Sequence, residues 1–101
     1  MQPGQSFITK GGKQWHFYFG IDATAEFLHL HGIPLTDFAQ PFIDNEVRAL
    51  LDMFYCALKC GDTGLPEGLT RDGMGRWLDE CDEGSMAELL RAYTTSKPLG
   101  K

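Results

Sequence analysis

The chain has 101 residues, of which 43% are hydrophobic and 12% aromatic, and its formal net charge is -5. This length and composition predict a single domain over residues 1–101 with one apolar core, and they argue against a disordered chain. The chain is acidic overall, and it shows no stripe of basic residues of the kind that binds a nucleic-acid backbone. Since we find neither a signal-peptide pattern nor a membrane-spanning apolar run, we expect a cytoplasmic protein without nucleic-acid or membrane partners.

Two short apolar runs near the N-terminus predict a β-hairpin from Ser6 to Phe19. The glycine pair at positions 11–12 supplies the positive φ angles that a tight hairpin turn needs. In the second strand Trp15, Phe17 and Phe19 alternate with polar residues, so they share one face. A two-stranded hairpin is marginal alone, and we expect the following helices to cover this aromatic face.

The next segment predicts two short helical stretches. Asp22 is the predicted cap of a helix over Ala23–His31, which Gly32 ends. Thr36 is predicted to cap one further turn, and Pro41 to interrupt the helical pattern after it.

The strongest helical pattern runs from about Asp44 to Cys60 and predicts a central helix. Apolar residues recur there at the three- and four-residue spacing of one buried face. They are Ile43, Val47, Leu50, Leu51, Phe54, Tyr55 and Leu58. Asp44 is the predicted cap and Gly61 the predicted stop.

A loop rich in glycine and proline follows, after which Thr70 is predicted to open a helix over Arg71–Glu80. Gly73 and Gly75 weaken that helix, each by roughly 1 kcal/mol relative to alanine, so packing must stabilise it.

Ser85 and Glu88 have the spacing of a capping box and predict a last helix ending near Thr95. The predicted fold is therefore α+β and mostly α, with an N-terminal two-stranded hairpin packed on a bundle of four to five helices. Residues 1–5 and 96–101 are predicted to be flexible.

Three cysteines, Cys56, Cys60 and Cys81, are an odd number that fits free thiols in a reducing compartment. Cys56 and Cys60 lie four residues apart on the central helix, a spacing that could place two sulfurs on one zinc ion. The other candidate ligands form no knuckle-like pair, so we interpret these cysteines as small apolar helix residues.

A thiol paired with His16, His29 or His31 would be the basis of a competing hypothesis, a small thiol- or metal-dependent enzyme. No local signature of such an enzyme surrounds these residues. We therefore predict no catalytic residue, no metal site and no cofactor.

Large apolar residues are abundant for a chain of this size, and some are expected to form a partner-binding surface. Met74, Trp77 and Leu78 are the leading candidates because their helix is weakened by glycine, and Met86 and Tyr93 would extend the surface. The alternative is that these residues pack in the core.

The order of these segments is similar to a known family. The run from Gly12 to Gly20 (GKQWHFYFG) and the following Leu-His-Gly-Ile-Pro-Leu resemble small tail assembly chaperones of long-tailed bacteriophages. The apolar helix ending in Tyr-Cys-Ala-Leu-Lys-Cys-Gly61, the later Trp77-Leu-Asp-Glu and the last amphipathic helix extend the resemblance over residues 7 to 95.

The resemblance implies a non-enzymatic phage or prophage chaperone that acts in the host cytoplasm. Such a protein binds the tape-measure protein, keeps it soluble and helps to recruit tail-tube protein, and we expect weak self-association. The alternatives are a structural component of the tail or connector and a cytoplasmic interaction module with another partner.

Overall fold

The computed structural model describes residues 5–96, in which a β-hairpin precedes five α-helices. The elements are β1 (Gln5–Lys10), β2 (Lys13–Tyr18), α1 (Ile21–His31), α2 (Gln40–Asp44), α3 (Glu46–Cys60), α4 (Met74–Asp79) and α5 (Ser85–Ser96), with a 3₁₀ turn at Leu35–Asp37. The predicted α+β, mostly helical fold is confirmed. Gln5 begins β1 and Ser96 ends α5, and the rest of the segments predicted to be flexible, 1–4 and 97–101, lies outside the described residues.

The hairpin forms as predicted, because the glycine pair adopts the backbone that its turn needs. Gly11 and Gly12 have φ angles of 62° and 77°, and Lys10 pairs with Lys13 across the turn. Phe17 and Phe19 from the aromatic face are buried against the helices. The hairpin is therefore fixed to the helices through this face.

The central helix α3 lies at the middle of the core and packs against α1, α2, α4 and β2. Because neighbours cover it on several sides, small residues such as Ala49 and Ala57 are as buried as Phe54. The predicted apolar stripe is wrong at its start, where Ile43 is 74% and Val47 68% exposed. Ile43 belongs to the separate helix α2, so the regular spacing breaks before α3 begins.

Two of the predicted helix caps are wrong. Helix α1 begins at Ile21 after Gly20, and Asp22 lies within its first turn instead of capping it. For α3 the cap is Asn45, whose side-chain oxygen accepts a hydrogen bond from the Arg48 backbone N–H at 3.1 Å. Asp44, the predicted cap, is instead the last residue of α2.

The segment around Pro41 also differs from the prediction. The 3₁₀ turn Leu35–Asp37 replaces the turn that Thr36 was expected to cap. Pro41 lies in the first turn of α2, where the missing N–H costs no helical hydrogen bond. Proline thus lies in the first turn of a helix here and does not interrupt one.

The last two helices also deviate at their starts. Helix α4 begins at Met74, because Thr70 closes a separate turn by accepting a hydrogen bond from the Gly73 N–H at 3.2 Å. In the described part of the chain, the Glu88 carboxylate bonds to Arg91 and to the Ser6 hydroxyl, the latter at 2.8 Å, and completes no capping box. Glu88 therefore ties α5 to β1.

None of the helices within residues 5–96 combines the length and the apolar character that a membrane span requires.

Candidate functional site

The five residues that were predicted to bind a partner differ in how far the folded chain exposes them. Met74 and Leu78 are buried, with 0% and 6% exposure, so they are core residues and offer no surface in the folded chain. Trp77 and Tyr93 are half-buried, and Met86 is 41% exposed. Both belong to the core cluster, and α4 packs against α3. Of the α4 candidates, only Trp77 reaches an open surface.

That surface is a cleft of about 440 Å³ between the hairpin and the segment leading into α4. Its apolar lining consists of Trp15, Pro66, Leu69 and Trp77, and its charged lining consists of Lys10, Glu67, Arg76 and Glu80. We call it the tryptophan groove. Trp15 and Trp77 are the two tryptophans of the chain, and their rings meet edge to face with centroids 5.7 Å apart. This pair joins β2 to α4.

Lysines from both sides of the hairpin turn lie over the two indole rings. The Lys13 ammonium is 4.3 Å from the Trp15 ring centroid, and the Lys10 ammonium is 5.8 Å from that of Trp77. These are cation–π contacts, each worth about 0.5–1 kcal/mol at an exposed site. Lys10 also pairs with Glu80 at 3.3 Å. The charged residues that line the groove are thus two cations and two carboxylates, of which Lys10 and Glu80 form a pair.

One hydrogen-bond donor beside the groove is unsatisfied. The indole Nε1 of Trp15 is buried and has no hydrogen-bond partner among residues 5–96. An unpaired buried donor costs about 1–3 kcal/mol, so such groups need a physical explanation. The aromatic alternation in β2 identified Trp15, but only as a core residue. Its meeting with Trp77 depends on a contact between distant elements, which local periodicity does not encode.

Sequence reasoning also missed a buried ion cluster at Asp52, in the middle of α3. Arg71 donates two hydrogen bonds to the carboxylate, from Nε at 2.9 Å and from Nη2 at 2.8 Å. The Nε2 atom of His31 lies 2.9 Å from Oδ2. The signal was Asp52 itself, the one acidic residue of α3 beyond its first turn, which lies among apolar residues.

The Asp52 cluster joins the end of α1 to the segment that precedes α4. The hydrogen bond to Asp52 raises the pKa of Arg71 further. Both oxygens of the Asp52 carboxylate are already engaged, by the Arg71 guanidinium and by the His31 imidazole. We therefore assign Asp52 a structural role.

A second cavity, of about 310 Å³, brings His16 and Cys60 to one place, as a thiol enzyme would require. Burial, followed by the negative charges of Glu26 and Asp22, raises the pKa of the Cys60 thiol. Burial likewise raises the pKa of Cys56 to about 12. The thiolate is thus disfavoured, whereas a catalytic cysteine needs it stabilised.

Cys81 follows the same rule, since burial is the main cause that raises its pKa. Its Sγ donates a hydrogen bond to the Trp77 carbonyl at 3.4 Å. Across residues 5–96, no cluster of three or more histidine, cysteine, aspartate or glutamate side chains could hold a metal ion.

These raised pKa values predict slow thiol alkylation. At pH 8 the native protein should react with iodoacetamide more slowly than glutathione does, and Cys56 should be labelled only after unfolding, because alkylation requires the thiolate. Mass spectrometry of labelled peptides over time measures this, with urea-unfolded protein as control. A cysteine that reacts faster than glutathione would instead support the thiol-enzyme hypothesis.

The tryptophan groove offers apolar ring surface bordered by charged residues of both signs, which suits the binding of another molecule's side chains. Burial raises the pKa of all three thiols, and the Asp52 carboxylate is engaged by Arg71 and His31. Comparisons of the chain with protein-family models, with curated proteins and with solved structures found no match, so its function is argued from its own residues.

Proposed function

We propose that this protein is a non-enzymatic tail assembly chaperone of a phage or prophage, which binds the tape-measure protein through the tryptophan groove and aids tail-tube assembly. The observation that carries this proposal is the placing of both tryptophans in one surface cleft beside a glycine-weakened helix. Tryptophan is among the residues most enriched at binding hot spots. The resemblance of residues 7 to 95 to tail assembly chaperones is the reason for choosing a tape-measure protein as the partner.

The physical task of such a chaperone is to cover apolar helical surface before the tail tube encloses it. The groove has room for a few side chains and not for a whole helix, which is about 10–12 Å wide. The partner helix would therefore lie across the groove and insert its apolar side chains. Met86 and Leu90 on α5, 41% and 37% exposed, provide a further apolar stripe. The net charge of -5 would keep the complex soluble.

The alternative of a structural tail component predicts a different fate for the same protein. An assembly chaperone leaves the particle, whereas a tail or connector subunit is retained at stoichiometric amounts. Mass spectrometry of purified particles distinguishes the two. Weak self-association also stays a prediction, for which the exposed Ile43 and Val47 are candidate contacts.

The direct test is co-expression with the tape-measure protein of the same genome. We expect the tape-measure protein to be soluble with this chain and insoluble without it. Trp77→Ala should reduce the rescued fraction severalfold, because truncating a central tryptophan commonly costs 2 kcal/mol or more of binding, about thirtyfold in affinity.

The matched control for Trp77→Ala is Leu50→Ala, which removes a partly buried side chain of α3 outside the groove. Both variants should lose stability in urea, but only Trp77→Ala should lose rescue beyond that loss. A tape-measure protein that is equally soluble alone, or equal rescue by both variants, would contradict the proposal.

A further inference from the structure

We propose that the cavity of about 310 Å³ beside His16 binds an arginine side chain of a partner protein. We call it the His16 cavity. It lies at the end of the hairpin opposite the turn, where the two strands meet the first turn of α1 and the residues that follow α3. The proposal goes beyond the proposed function, because neither Trp15 nor Trp77 lines this cavity.

Exposed aromatic rings on the outward face of the hairpin are the first reason. Phe7 and Tyr18 lie on the face opposite the buried Phe17, and they are 38% and 37% exposed. The Phe7 ring meets that of His16 edge to face, with centroids 4.4 Å apart. The Tyr18 ring lies against Gly20, where an added Cβ would be 2.8 Å from it. The solvent face of a strand is ordinarily polar, so this aromatic surface indicates contact with another molecule.

The charge of the lining is the second reason. Asp22 and Asp62 line the cavity, and no lysine or arginine from the described part of the chain does. The Asp62 carboxylate is 3.9 Å from His16 Nδ1, beyond hydrogen-bond distance, and Asp22 has no hydrogen bond or ion pair with any described residue. Lys59, close by in the chain, is already engaged in an ion pair outside the lining. The cavity is therefore complementary to a cation.

The Cys60 thiol, which also lines the cavity, responds to the same negative charge. After burial, Glu26 and Asp22 are the main causes that raise its pKa, and Lys59 offsets them only in part. The Asp22 carboxylate therefore acts within the cavity and not only on the surrounding solvent.

Aromatic rings and carboxylates together favour a guanidinium over an ammonium. A guanidinium is planar and weakly hydrated, and it can stack on an aromatic face while its N–H groups bond to a carboxylate. An ammonium is more strongly hydrated and cannot form two parallel hydrogen bonds to one carboxylate. The volume of the cavity is at the small end of the range for ligand pockets, which suits one side chain.

The test compares two end-blocked tripeptides, one with arginine between two glycines and one with citrulline, its neutral isostere, in that place. Both are titrated into ¹⁵N-labelled protein. We expect arginine to bind about fivefold more tightly, or about 1 kcal/mol, as two exposed ion pairs give. The backbone amide signals of Phe7, Tyr18 and Gly61 should shift, while the indole N–H signals of Trp15 and Trp77 should not.

The double variant Asp22→Asn with Asp62→Asn should bind the two peptides equally, with the amide spectrum of a folded protein. The matched control is Asp37→Asn with Asp79→Asn, which makes the same change in net charge at exposed residues outside the lining and should keep the fivefold preference. Equal binding by the unmodified protein, shifts centred on the indole signals, or loss of the preference in the control would each overturn the proposal. The proposed function is tested separately, through Trp77→Ala.

Discussion

Replacing Gly61 with alanine should destabilise the protein by at least about 3 kcal/mol or prevent folding, because the added methyl group has no room. A Cβ at this position would meet the backbone carbonyl of His16, with the carbonyl carbon at 2.7 Å and its oxygen closer still. A backbone carbonyl within β2 cannot rotate away as a side chain can. Relief would require α3 and the hairpin to separate.

The matched control for Gly61→Ala is Gly75→Ala in α4. The nearest atom to a Cβ there is Leu51 Cδ1 at 3.5 Å, an ordinary van der Waals contact. Alanine is the better helix former, so this variant should be neutral or more stable by up to about 1 kcal/mol. Urea unfolding followed by circular dichroism measures both. Similar midpoints for the two variants would show that α3 does not approach β2 this closely.

Replacing Arg71 with methionine should cost about 1–3 kcal/mol, since it removes two charge-assisted hydrogen bonds from a buried carboxylate, discounted because the Arg71 side chain is 38% exposed. The Asp52 side chain is 0% exposed, and without Arg71 its remaining close contact is His31. Arg48 is at 3.9 Å and its side chain is 42% exposed, so it compensates weakly. The carboxylate would stay out of water with one close partner, His31, at 2.9 Å.

Two comparisons isolate the ion pair in urea melts. Arg48→Met should cost less than about 1 kcal/mol, as for an exposed cation beyond hydrogen-bond distance. In a double-mutant cycle, Arg71→Met should be much less costly when Asp52 is already asparagine, with a coupling energy of about 1–3 kcal/mol. Additive effects of the two substitutions would mean that Asp52 and Arg71 do not stabilise each other.

The elements themselves were largely predictable, because they depend on local patterns. The glycine pair at 11–12 and the alternating aromatics of β2 specify the hairpin, and the spacing of Leu50, Phe54 and Leu58 specifies α3. Helix starts were predicted less well. Asp44 and Asn45 are adjacent and both suit a cap, and only the path of the chain after α2 selects Asn45.

The candidate site was only half predictable. Trp77 was identified from its apolar type and its glycine-weakened helix, but the same criteria selected Met74 and Leu78, which are buried. These three residues lie on one six-residue helix and differ in whether they face α3. The sequence does not specify how this short helix is rotated about its axis. Trp15 was assigned to the core face of β2, although packing leaves it half-buried at the groove.

The sequence by itself determined the fold class, the hairpin turn and the place of the central helix, since each follows from a repeating apolar pattern or a backbone requirement within a few residues. The tertiary structure decided which apolar residues are exposed, which cations surround the tryptophans and why Gly61 is glycine. Gly61 has a φ angle of -79°, which any residue can adopt, so its identity follows from the proximity of the His16 carbonyl and not from the end of the helix. The pairing of Asp52 with Arg71, 19 positions apart, was likewise decided by packing, because a buried carboxylate takes whichever cation the fold brings within reach.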